Sequence, residues 1–195
     1  MADTQRNGPD MTLDDYQVMA TETATYPGRG EHQLVYPVIA MAGEAGELAE
    51  VLLGQILTRR TPPHEYGVGP AALIVVAECG TVMERIKKVY RNEPRGALSP
   101  ERRREILDAI QSARSALAVL GLAVESDERV EFPSVAVGTD VTEGRLIKEA
   151  GDVLWYVACF CTEARVALGH VAEVNYAKLA DRMRRDVIRG DGDDR

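Results

Sequence analysis

The chain is poor in aromatic residues, with one tryptophan and two phenylalanines among its 195 residues, and it has only three cysteines. Cys79, Cys159 and Cys161 are odd in number and form no C-x-x-C pair. That argues against a disulfide framework or a zinc site and for reduced, buried thiols. No apolar run approaches the roughly 18 residues of a membrane span, and the polar opening from Met1 to Gly8 lacks the apolar core of a signal peptide. Positive charge is in deficit too: a formal charge of -8 speaks against a nucleic-acid binder, which normally presents a basic surface. These absences predict a cytoplasmic protein with neither nucleic acid nor membrane as partner. The length suits one well-buried core, so residues 1–195 are read as a single domain.

What is present is helical. The first eleven residues read as disordered; Thr12 then caps a helix from Leu13 to about Thr25, which stops before Tyr26-Pro27-Gly28-Arg29-Gly30. A second helix is predicted from Gln33 to about Leu57 and a third from Ala71 to about Arg91. Ser99-Pro100-Glu101 opens a fourth, with Ser as cap and Pro in the first turn, ending near Leu120-Gly121. Residues 122–140 read as a long loop or a short hairpin. A fifth helix follows from about Thr142 to Leu168 and a sixth from about Val171 to Arg189, before a polar tail. The pattern is all-α.

Two short acidic patterns stand inside these helices, about a hundred residues apart: Glu44-Ala45-Gly46-Glu47 and Glu149-Ala150-Gly151-Asp152. Residues three apart share a helix face, so each pattern offers two carboxylates side by side. On a helical wheel, Leu146, Ala150, Val153, Leu154, Val157 and Cys161 form one apolar face, with Glu149 and Asp152 at its edge. Met41, Ala45, Leu48 and Leu52 form the corresponding stripe beside Glu44 and Glu47, with Glu50 turned further out. The fifth helix is apolar nearly all round from Ala150 to Cys161, so its acids are expected to be partly buried. Gly43, Gly46 and Gly151 are expected to permit close helix approach. Converging buried carboxylates repel unless a cation lies between them, which is the outline of a magnesium site. A di-iron bundle requires E-x-x-H pairs, and none of His32, His64 and His170 follows a glutamate by three.

Four segments, in order, resemble the MazG-like all-α nucleotide pyrophosphohydrolases. Tyr16-Gln17 through Tyr26-Pro27 is similar to the opening helix of that family, and Leu34 through Glu50 to its first metal-binding helix. Lys148-Glu149-Ala150-Gly151-Asp152-Val153-Leu154-Trp155-Tyr156 resembles the second. Val171 through Leu179 with Arg182, followed by Arg189-Gly190 to Arg195, resembles the last helix and its tail. The resemblance implies a helical bundle that hydrolyses a (d)NTP between its α and β phosphates, releasing a monophosphate and pyrophosphate, in nucleotide-pool control or clean-up. By the same resemblance Glu44, Glu47, Glu149 and Asp152 hold Mg²⁺, or Mn²⁺ in its place. Asn175, Lys178 and Arg182 meet the phosphates or position the nucleotide, Lys178 beside the reacting group. Glu47 is the candidate to take a proton from the attacking water. The substrate is read as a purine dNTP such as dGTP. Trp155 and Tyr156 are read as packing residues.

The chain departs from compact members in its join between the acidic helices. Val51-Leu52-Leu53-Gly54 stands where those members often carry lysines, while Lys87, Lys88 and Arg91 appear in the third helix. Residues 58–140 are read as a helical insertion or as a degenerate repeat. Glu78 to Glu84 echoes Glu44 to Glu50 with Thr81 for Glu47, and Leu107 to Ser112 echoes Ile147 to Asp152 without its acids. A homo-oligomer, dimer or tetramer, is expected because the apolar fifth helix needs cover. The alternative to an enzyme is a catalytically silent helical scaffold or regulator derived from the same family.

Overall fold

In a computed structural model of the protein, residues 10–30, 34–59, 68–92, 98–126 and 142–185 are described. They form six helices: α1 Leu13–Thr23, α2 Val35–Arg59, α3 Val68–Asn92, α4 Pro100–Ser126, α5 Glu143–Glu163 and α6 Leu168–Arg184. No strand occurs among the described residues, and none of their helices is long and apolar enough to cross a membrane. The packing order is α5 on α2, α2 on α3 and α3 on α4, with α1 laid on α5 and α6 on α1. The two acidic helices are therefore direct neighbours despite their separation in sequence.

The helix starts follow their caps. Thr12 accepts a hydrogen bond from the Asp15 backbone N–H while the Asp15 carboxylate accepts from the Thr12 N–H, a reciprocal capping box. Ser99 and Thr142 accept from the backbone N–H groups of Arg102 and Arg145. α6 opens without a cap of its own, because Ala167 offers no side-chain acceptor. α1 supplies it from a distance: Leu168 N–H donates to Gln17 Oε1 at 2.7 Å and Gly169 N–H to Asp14 Oδ1 at 2.7 Å.

The ends are less legible. α4 runs through Gly121 to Ser126, since one interior glycine costs only about 1 kcal/mol and does not stop a helix. Residues 122–126, read as loop or hairpin, are thus helical, while 127–141 lie outside the described residues, as do the expected disordered start and the tail. α5 ends at Glu163, five residues short of Leu168, in a Schellman turn. Val166 N–H donates to Cys161 O and Arg165 N–H to Thr162 O, with Arg165 in the left-handed region at φ 58°. No glycine marks this stop.

α2 meets α3 through glycine. A Cβ on Gly46 would lie 2.5 Å from Gly80 Cα and 3.3 Å from Ala77 O, and one on Gly80 would clash with Gly46 Cα and stand 3.1 Å from Gly43 O. The contacts are reciprocal: Gly46 meets Gly80 and Ala77, and Gly80 meets Gly46 and Gly43, as across a local two-fold axis. Gly43 likewise leaves room for the Glu84 carboxylate, 2.5 Å from where its Cβ would be. Gly151, by contrast, faces open space.

This crossing corrects the wheel for α2. Gly43, Glu44, Gly46, Ala49, Val51 and Leu53 are buried, while Met41, Ala45, Leu48 and Leu52 are only half-buried, because α2 packs on two sides. On α5 the correction is similar. Glu149 is 2% exposed, whereas Ala150 and Leu154 are exposed and Ile147 is 65% exposed. A helix that is apolar all round does not itself reveal which face meets its neighbour.

Small side chains let the layers sit close. Ala49, Leu53, Ile74, Ala77 and Ala116 pack where α2, α3 and α4 meet, and Ala20, Ala158, Cys161 and Leu168 where α1, α5 and α6 meet. All three cysteines are free, Cys159 and Cys161 buried and Cys79 half-buried. Tyr26 and Tyr36 stack at 5.0 Å between centroids, and Tyr26 donates to Glu163 Oε1 at 2.9 Å, pinning the turn after α1. Gly30 N–H donates to the same oxygen.

Candidate metal centre

α2 presents Glu44 and Glu47 on one face, and α5 brings Glu149 against them, one carboxylate oxygen of each within 4.8 Å of the others. Glu44 and Glu149 are buried and Glu47 is half-buried. Like charges this close in a desolvated site oppose ionisation. Burial first, and then Glu44, Glu149 and Glu84, push the Glu47 carboxyl up to about 6. Burial also raises Glu44, against the pull of its hydrogen bond from Lys87. Glu149 Oε1 lies 3.5 Å from Lys148 Nζ and 3.9 Å from Arg145 Nε, but its Oε2 is buried with no hydrogen bond among the described residues.

These features fit a divalent ion. Three hard carboxylate oxygens from two rigid helices suit Mg²⁺ or Mn²⁺, with room for water and phosphate oxygens in the remaining positions. A cation would relieve the mutual repulsion and satisfy the orphaned Glu149 oxygen. Asp152 is half-buried and lies outside the triad, though its charge contributes to raising Glu44. Glu50 is exposed at the border, as its place on the wheel suggested.

A lysine that the sequence pattern left unassigned completes the electrostatics. Lys87 of α3 is buried, with Nζ 2.9 Å from Glu44 Oε1, paired also with Glu84, and 5.4 Å from the centre of the Tyr156 ring. Burial alone would lower its pKa, but the hydrogen bonds to Glu84 and Glu44 hold it above the usual value, so it remains a cation. The signal for this role was the i, i+3 pair Glu84–Lys87 in the charged second half of α3. Tyr156 and Trp155 pack as expected, edge to face at 4.7 Å, and the Trp155 indole N–H donates to Thr23 Oγ1.

The other expected site residues lie elsewhere. Asn175 and Lys178 are exposed on α6, a helix that packs on α1. Arg182, on the same helix, is 6% exposed.

The Gene 37 protein of Mycobacterium phage L5 is 26% identical to this chain over 189 residues, covering 95% of it and all of the phage protein. No solved structure matches. The sequence model of the MazG nucleotide pyrophosphohydrolase domain matches residues 71–185. The match takes in Glu149, Asp152, Asn175, Lys178 and Arg182, and also α3 and α4, which fall within the stretch read as insertion or repeat. It leaves α2 with Glu44 and Glu47 outside. Spanning more than half of the sequence, it establishes that the chain belongs to the MazG nucleotide pyrophosphohydrolase domain family.

Proposed function

We propose that this protein is a Mg²⁺-dependent nucleoside triphosphate pyrophosphohydrolase that cleaves a (d)NTP to the monophosphate and pyrophosphate. Family membership supports the reaction class, and the convergence of Glu44, Glu47 and Glu149 supports the metal and is the observation that carries the reading. Bound there, Mg²⁺ would neutralise charge on the phosphate oxygens. Glu44, Glu47 and Glu149 would hold it, with Asp152, one turn after Glu149 on α5, as the fourth candidate. Water attacks the α phosphorus, the bond to the bridging oxygen breaks, and pyrophosphate leaves with the electron pair. Glu47, the one member of the triad that is only half-buried, takes the proton of that water. A purine dNTP such as dGTP is the proposed substrate, and nucleotide-pool control or clean-up the role.

A homodimer is part of this reading. Val171, Val174, Tyr176, Leu179 and Met183 of α6 are exposed, as are Ile147 and Leu154 of α5. A second copy covering them would also give Asn175 and Lys178, exposed on the same helix, a substrate to meet across the interface.

The test is pyrophosphate release from a panel of nucleoside triphosphates, with Mg²⁺ and with chelator. Release from at least one, lost in chelator and in Glu149→Gln and Asp152→Asn proteins that keep their helical content, is the expected result. Absence of release from every triphosphate would favour the silent scaffold.

A further inference from the structure

α2 and α3 border a half-open cavity of about 200 Å³ beside the triad, lined by Glu47, Glu50, Thr81, Glu84, Arg85 and Lys88. We infer that this cavity seats the two distal phosphates of the nucleotide, the part that departs as pyrophosphate, with Arg85 and Lys88 as the cations that hold them. The inference rests on the reading of the triad as the hydrolytic centre, and it adds phosphate contacts on α3 to the nucleotide contacts proposed for α6.

Position comes first. Glu47 belongs to both the triad and the cavity wall, so a phosphate lying across the triad has its next group in the cavity. Size and lining come second. Pockets that enclose a whole drug-sized ligand run to about 300–1,000 Å³ and are largely apolar. This one is smaller, and every side chain lining it is polar or charged. No aromatic ring is there on which a base could stack, so the cavity fits a phosphate tail and not a nucleobase.

Of the three carboxylates in the lining, Glu84 is paired with Lys87 and Glu47 belongs to the metal triad, which leaves Glu50 beside two cations. Thr81, Arg85 and Lys88 follow one another at i, i+4 and i+7, which places them along one face of α3. Lys87 is already engaged with Glu44 and Glu84. Lys88 is half-buried and makes no ion pair or hydrogen bond among the described residues. Arg85 is anchored at one end, its Nη1 3.3 Å from Glu105 Oε2, a carboxylate that also accepts from Arg102. Its Nε is buried without a hydrogen-bond partner among the described residues. A buried guanidinium N–H left unpaired is costly, and a phosphate oxygen is the acceptor it suits best. Arg85 is thus held in place by Glu105 with a donor still to spend, and Lys88 adds a point charge one turn away.

The experiment is calorimetric binding of inorganic pyrophosphate, and separately of a nucleoside monophosphate, to the full chain with Mg²⁺. Both are run on wild type, Lys88→Gln, Lys88→Arg and Arg85→Gln, each first checked for native helical content. Wild type is expected to bind pyrophosphate. Lys88→Gln and Arg85→Gln should each weaken it by roughly tenfold or more, the worth of a charge-assisted hydrogen bond, with monophosphate affinity unchanged. Lys88→Arg should retain most of the pyrophosphate affinity. No pyrophosphate binding by wild type, or equal affinity in the Gln variants, would overturn the inference, as would an equal loss of monophosphate. Because the readout is binding, it stands apart from turnover: pyrophosphate held through Arg85 and Lys88 without triphosphate cleavage would leave this inference intact and sink the proposed reaction.

Discussion

Gly46 of α2 and Gly80 of α3 touch backbone to backbone where their helices cross, with no room for a methyl group between them: a Cβ on Gly46 would lie 2.5 Å from Gly80 Cα. The crossing lies between Glu44 and Glu47 on one helix and one turn before Glu84 on the other, so the spacing of the helices sets the spacing of the acids and of Lys87. Gly46→Ala gains about 1 kcal/mol of helix propensity but forces α2 and α3 apart, and overpacking of this kind costs typically 1–3 kcal/mol, more where backbone is the obstacle. The expected net result is a lower urea midpoint and a weaker stabilisation by Mg²⁺. Gly121→Ala is the control: its Cβ would meet open space on α4, so it should raise stability by about 1 kcal/mol. Equal effects from the two substitutions would sink the argument.

Arg165 offers the opposite case. It occupies the C′ position of the turn after α5 at φ 58°, where a residue with a Cβ costs roughly 1–2 kcal/mol and glycine does not. Arg165→Gly gives some of this back through greater freedom of the unfolded chain. A net gain of about 1 kcal/mol in chemical denaturation is expected, and a loss would mean that the Arg165 side chain holds the turn.

These two positions also show how far the sequence reads. The starts of α1, α4 and α5 were legible because Thr12, Ser99 and Thr142 are local signals acting within one turn, whereas α3 and α6 each begin three residues before the expected Ala71 and Val171. The stop of α5 was not, because a left-handed arginine leaves no mark in composition. The triad was legible as residue types: Glu44, Glu47 and Glu149 stand together in space as their patterns suggested. Which faces are buried was not legible, because the choice is made by neighbouring helices. The Gly46–Gly80 contact, the Lys87–Glu44 pair and the capping of α6 by Asp14 and Gln17 all join residues far apart in sequence. In the sequence Lys88 stands only as one of the basic residues of the third helix and Arg85 belongs to no motif; both line the cavity wall.

Lys87 is the only cation within hydrogen-bond reach of Glu44 among the described residues. Lys87→Met removes the positive partner of two largely buried carboxylates, a change that costs about 3–5 kcal/mol when the pair is well buried. A marked loss of thermal stability is expected in the metal-free protein. Mg²⁺ should restore more stability to this variant than to wild type, because Glu44 then has no competing cation. Thermal scans with and without Mg²⁺ read both numbers. An identical Mg²⁺ response in the two proteins would show that Glu44 takes no part in holding the ion.

The exposed apolar side chains of α6 make the assembly testable. Val171 is 40% exposed and Val174, one turn on and on the same face, 55% exposed. If a second copy covers them, Val174→Asp should convert a dimer to a monomer in light scattering, with helical content unchanged. A monomeric wild type at micromolar concentration would remove the dimer from the reading.

Glu47 gives the metal-free protein a pH dependence of definite sign. Its folded pKa is raised to about 6 from an ordinary value of 4.5, chiefly by burial and then by Glu44, Glu149 and Glu84. Between these two values the folded state binds more protons than the unfolded state, so the stability slope with pH is negative. Glu44 is shifted in the same direction and adds to the effect. The metal-free protein should therefore lose stability as pH rises from about 4.5 through about 6, with the full penalty present above that range. Divalent metal binds the ionised carboxylates, so saturating Mg²⁺ should offset the loss above pH 6 and widen the difference between loaded and metal-free midpoints with rising pH. Glu47→Gln carries no such charge and should make the metal-free profile shallower over the same window, leaving the part due to Glu44. A profile that is already flat in wild type, or one that rises through this range, would place Glu47 in ordinary solvent and not against Glu44 and Glu149.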